Sequence, residues 1–156
     1  MGWSGGEEGE MNRFLRILAT AVVAASLVAA FAPPAAAAPT ILGAELSGAE
    51  GGDPEGSGIA GVAVQPGKAR LCFGIFVQGI TLPAAAAHIH RVRTGAIAVS
   101  LTAPDETGTA FGCVTDQDKT VLRSIRRNPQ RFYVNVHNAD YPAGAVEGTL
   151  SEVSVA

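Results

Sequence analysis

Through most of residues 40–151, apolar side chains alternate with polar or small ones. That is the period of extended strands, whose successive side chains fall to opposite faces. Thr40–Leu46 reads as a first strand, Gly58–Val64 as a second and Ala69–Val77 as a third. Pro66-Gly67 marks a turn between the last two, so residues 58–77 are expected to form a hairpin. Further strands are predicted at His88–Arg91, Ala96–Leu101, Ala110–Val114, Phe132–His137 and Ala145–Leu150, with turns at Thr94-Gly95 and Asp140–Gly144. One stretch departs from this period. After Asp116 or Asp118 as N-cap, Val121, Leu122 and Ile125 fall on one helical face. Arg126 and Arg127 then complement the helix dipole, and Asn128-Pro129 ends the helix. Seven or so short strands with frequent turn signals predict an all-β fold: an antiparallel Greek-key β-sandwich with one short helix.

The longest apolar run stands outside this pattern. Ile17–Phe31 is almost wholly apolar, Arg13 and Arg16 precede it, and Ala35–Ala38 follows it. A basic, then apolar, then small-residue sequence is the makeup of a cleaved secretory signal. The run is shorter than the roughly 20 residues needed to span a bilayer. Cleavage is expected near Ala38, giving a secreted, extracellular protein without a membrane span in its mature part. Glu7, Glu8 and Glu10 oppose the positive bias of a signal's start. Met11 therefore reads as the functional start, with residues 1–10 as leader, 11–38 as signal peptide and 39–156 as one domain.

Composition narrows the partners. The chain carries 11 Lys+Arg against 14 Asp+Glu, a formal net charge of −3. Removing residues 1–38 takes away Arg13, Arg16 and the three glutamates, so the remainder stays weakly acidic. That balance argues against nucleic acid as a partner. The basic residues Arg123, Arg126, Arg127 and Arg131 cluster around the helix, either as a solvated face or as a contact for an anionic envelope surface. Both cysteines, Cys72 and Cys113, lie in the exported part. In an oxidising compartment two cysteines on strands of one domain favour a disulfide over separate thiols.

Three segments carry a family resemblance: Leu46–Glu50, Ala87-His88-Ile89-His90, and Asn128-Pro129 through Phe132–His137 to Tyr141–Ala145. Together they resemble the CHRD domain, named for its occurrence in chordin, over essentially all of residues 40–151. The resemblance implies a β-rich extracellular or periplasmic module, of a kind common as small secreted bacterial proteins and with no settled biochemical activity. The chain is accordingly expected to be non-enzymatic, with a binding or envelope-structural role toward an unknown extracellular or cell-envelope partner. This chain departs from the family pattern after the His-x-His, where Arg91–Gly95 is short. It departs again in the last strand, where Glu147-Gly148-Thr149 replaces the usual Arg-Gly-Gln.

All three histidines, His88, His90 and His137, fall in these motifs. His88 and His90, two apart on a strand, share a face, and His137 joins them if its strand is a neighbour. Three converging imidazoles suit Cu or Zn. The pattern also resembles the copper half of Cu/Zn superoxide dismutase, another Greek-key sandwich. No fourth histidine exists to bridge a second metal, and that family's guiding arginine has no secure match. The other reading makes the imidazoles structural, bonded to backbone, Asn135, Asn138 or Tyr133 and pinning strand ends. On the metal reading, the second nitrogen of each imidazole needs a partner, for which Asp140 is the nearest carboxylate in sequence. No catalytic residues are identified.

Overall fold

A computed structural model of the chain describes Met1, residues 37–48 and residues 50–153. Apart from Met1, Ala37 and Ala38, the expected leader and signal peptide lie outside the described residues. Among the described residues, no helix is long and apolar enough to cross a membrane.

The strands are β1 Thr40–Gly48, β2 Ser57–Gln65, β3 Arg70–Gln78, β4 Ala86–Arg91 and β5 Ile97–Leu101. There follow β6 Thr109–Val114, β7 Phe132–His137, β8 Val146–Thr149 and β9 Ser151–Glu152. Every pairing is antiparallel. The strands form one hydrogen-bonded path in the order β5-β4-β7-β8-β1-β2-β3-β6, with β9 also on β1. The all-β antiparallel expectation holds. The two halves, β5-β4-β7-β8 and β1-β2-β3-β6, are joined through β8 and β1 into a nearly closed, barrel-like sheet. β3 pairs with β6, and β4 with β7, across intervening strands.

The alternation read from the sequence sorts directly into inside and outside. Leu42, Val62, Val64, Leu71, Ile75 and Val77 from one half meet Ala87, Ile89, Val134, Val136 and Val146 from the other in a single core. The helix α1 (Lys119–Arg127) contributes Leu122 and Ile125, both fully buried. It begins at Asp118, whose side chain accepts hydrogen bonds from the Thr120 and Val121 amides. These satisfy two of the donors a helix start leaves free.

The β8–β1 join is tight. A Cβ on Gly148 would run into the Glu45 carbonyl and meet the Leu46 side chain. Gly148→Ala is therefore expected to cost about 3 kcal/mol through overpacking, read from the denaturant midpoint. Gly74→Ala, whose Cβ meets nothing within 4 Å, serves as the control and should change stability by less than about 0.5 kcal/mol. Equal midpoints for the two variants would show that the join is not close-packed.

Candidate metal centre

The β4–β7 register decides where the histidines go. Ala86 pairs with His137, His88 with Asn135 and His90 with Tyr133. Since Ala87, Ile89, Val134 and Val136 are turned into the core with no exposure, their alternates share the outer face. His88, His90 and His137 thus stand together, with His137 diagonal to His88 across the strand pair. One potential ligand nitrogen from each lies within 4.8 Å of the others. Ring centroids are 5.4 Å apart for His88–His90, 5.1 Å for His88–His137 and 5.7 Å for His90–His137.

An outer-face position ordinarily means a wet one, yet His90 is only 8% exposed. Two turns cover this patch. The β4–β5 turn folds back through Gly95, whose φ of 65° lies in the left-handed region that glycine adopts readily. Its carbonyl accepts from His90 Nδ1 at 2.8 Å. The β7–β8 turn brings the Pro142 carbonyl to 3.1 Å from His137 Nδ1. Asn135, also buried, holds that turn by donating to the Ala143 carbonyl at 3.1 Å. The His90 ring stacks on Tyr133 with centroids 5.2 Å apart.

These contacts fix the tautomers. A carbonyl only accepts, so Nδ1 of both His90 and His137 must carry hydrogen, and in the neutral rings both Nε2 atoms hold lone pairs. His137 Nε2 lies 3.2 Å from His88 Nδ1, so in the neutral ground state His88 donates to it. His90 Nε2 is buried and has no hydrogen-bond partner. An orphaned buried polar atom costs about 1–3 kcal/mol, which a cation at that atom would remove. Nitrogens about 2.0–2.1 Å from one tetrahedral or trigonal centre stand about 3.4–3.5 Å apart. The His88–His137 pair, at 3.2 Å, is within about 0.3 Å of that separation, and a pair at the 4.8 Å limit would have to close by about 1.3 Å.

For His90 and His137, the backbone carbonyls of Gly95 and Pro142 supply the outer partners that ligating imidazoles require. Asp140 does not: its carboxylate accepts from the Thr81 hydroxyl at 2.5 Å. Nor do the three imidazoles bond to the side chains of Asn135, Asn138 or Tyr133. Asn138 bonds instead to the Thr81 carbonyl and the Tyr141 amide. Sequence reasoning found the three histidines and expected backbone bonds to them, but did not identify these two carbonyls. The only sequence signal for them was the turn chemistry of Thr94-Gly95 and Pro142-Ala143-Gly144. A cavity of about 260 Å³ opens beside the triad, lined also by Ala85, Ala86, Ile97, Asn138 and Pro142.

Burial holds the pKa of His88 below the ordinary 6.5, and the neighbouring His137 and His90 depress it further. Burial does the same to His137, against the opposing bond to Pro142. Depressed values keep both rings neutral and able to ligate near pH 7. They also set the sign of the metal-free protein's acid response. The unfolded chain takes up these protons first, so stability present above pH 6.5 falls as pH drops below it. Denaturant midpoints between pH 7.5 and 5 should decline for the metal-free protein. The decline should be shallower for His88→Gln/His137→Gln; an unchanged slope would remove these rings as its source.

Among the described residues, the fold and site define a small all-β domain with one short α-helix and one histidine-lined patch on its outer face. A family model for the CHRD domain matches residues 42–150, and the chain belongs to that family. No curated protein matches it. The disulfide expected from the sequence joins Cys72 to Cys113 across β3 and β6, with Cα atoms 3.9 Å apart.

Proposed function

We propose that the chain is an exported, non-enzymatic CHRD module that holds a Cu or Zn ion at His90 Nε2, His137 Nε2 and His88 Nδ1, the last freed when its proton moves to Nε2. One observation carries the metal reading: a buried, unpartnered His90 Nε2 in a ring whose other nitrogen is committed to the Gly95 carbonyl. A histidine serving only as a strut has no need to bury its second nitrogen unbonded. The donor set is three imidazoles with no thiolate or carboxylate, which suits Cu and Zn and disfavours Ca or Mg. Export is supported by the basic–apolar–alanine sequence ending near Ala38 and by the disulfide, which persists in oxidising compartments.

A second reading has its own support. The bonds from His90 to Gly95 and from His137 to Pro142 tie two turns to the sheet, so the imidazoles serve as struts with or without an ion. Elemental analysis of the protein from its extracellular fraction separates the two, followed by Cu and Zn titration of the stripped protein. The metal reading expects one equivalent per chain. Absence of metal together with unsaturable titration leaves only the struts.

A further inference from the structure

Beside the same β4–β5 turn, but on its other flank, lies a cavity of about 250 Å³ lined by Arg91, Arg93, Thr94, Ser124, Arg131 and Phe132. Three arginines and two hydroxyl-bearing residues line it, and the lining contains no carboxylate. Three separate parts of the chain build it: the turn after β4, helix α1, and the short 3₁₀ turn Pro129–Arg131. The Val92 amide donates to the Arg131 carbonyl at 3.0 Å, which locks the first and third of these together. The Arg91 guanidinium lies 5.4 Å from the centre of the Phe132 ring, and Phe132 is itself buried. Stacking of this kind orients the planar fork before any ligand arrives.

The charge distribution points the same way. The chain as a whole is acidic, with 11 Lys+Arg against 14 Asp+Glu. Yet Arg91, Arg93, Arg123, Arg126, Arg127 and Arg131 are concentrated on this turn, this helix and the segment just after it. Such segregation produces a local positive field that the net charge hides. Guanidinium forks match the paired oxygens of a tetrahedral oxyanion, and hydroxyls add neutral donors. Three positive charges around one small cavity fit a phosphate better than a monovalent carboxylate. We infer that this cavity is a phosphate-binding site, taking the group either as the free ion or as carried on a phosphodiester chain of the cell envelope. The site is independent of the imidazoles, and its occupancy requires no metal.

The test is an amide NMR titration of the metal-free full chain at about 0.15 M salt, where weak surface attraction is screened. One arm uses inorganic phosphate and the other glycerol phosphate oligomers. Saturable shifts at Thr94, Ser124 and Arg131 are expected in at least one arm. Tighter binding of the oligomer assigns a polymer-borne group, and equal binding per phosphate assigns the free ion. Arg93→Gln and Arg131→Gln should each weaken binding about tenfold. Lys119→Gln, which removes the same charge outside the cavity, should change it by less than about twofold. Absence of saturation in both arms, or an equal loss with Lys119→Gln, would overturn the proposal.

Discussion

Replacing His90 by alanine is expected to weaken Cu or Zn binding at least about 100-fold while leaving the protein folded. Losing a second-sphere partner alone costs about 10–100-fold in affinity, and His90 is proposed as a direct ligand. Its Nε2 is also the one potential ligand atom of the triad that is both buried and unbonded, so the metal-free protein gives up no hydrogen bond from that atom on truncation. The bond from Nδ1 to Gly95 and the stacking on Tyr133 are lost, at a cost of about 1–2 kcal/mol. Competition titration against a chelator of known affinity reads the first effect, and urea unfolding of the stripped protein reads the second. Asp140→Ala is the informative contrast. Its carboxylate serves Thr81 and no imidazole, so metal affinity should move by less than about twofold. Equal losses from His90→Ala and Asp140→Ala would mean that the triad is not the binding site.

That contrast shows where the sequence was informative and where it was not. Alternation gave the strands to within one or two residues, because each has one face in a common core and the pattern records that burial directly. Phe132–His137 matches its observed limits without change. The helix was legible for the same reason, with Leu122 and Ile125 facing inward and Asp118 accepting from two amides. The short β9 was missed: two residues, Ser151 and Glu152, both exposed, carry no burial signal, and their pairing with Leu42 and Gly43 is a long-range event. In the candidate site, side-chain identity announced the histidines. The groups that set their tautomers are main-chain carbonyls, which every residue possesses, so no residue type marks them. Asp140 drew attention as a carboxylate near His137 in sequence. The turn places Asp140 against Thr81, 59 residues away. The separation of the chain into one histidine-lined patch and one arginine-lined cavity was equally hidden. Arg91 and Arg93 come to the same cavity as Arg131 because β4 pairs with β7 at Arg91–Phe132 and Val92 bonds to the Arg131 carbonyl.

Removing the disulfide by the double substitution Cys72→Ala/Cys113→Ala is expected to lower stability by about 4 kcal/mol and the melting temperature by more than about 10 °C. The size follows from topology. Cys72 and Cys113 face each other across β3 and β6, 41 positions apart in sequence, so the link removes the freedom of a long loop from the unfolded chain. β6 ends the strand order and pairs with β3 alone, and its outer face carries Phe111, 80% exposed. Hydrogen bonds to one neighbour, the buried Ala110 with Val114 packed beside the core, and a single cross-link hold this strand, and the loop that opens contains β4, β5 and two of the three histidines. Both half-cystines sit on the side of the sheet away from the core, Cys113 exposed and Cys72 half-buried, so a reductant can reach them. Thermal melts of the native protein with and without dithiothreitol should differ by the same amount as native and double variant, while the variant should ignore the reductant. A reduced native protein that melts with the oxidised one would show that the link adds nothing to the fold. A large shift would tie this small barrel-like domain to an oxidising compartment on thermodynamic grounds alone.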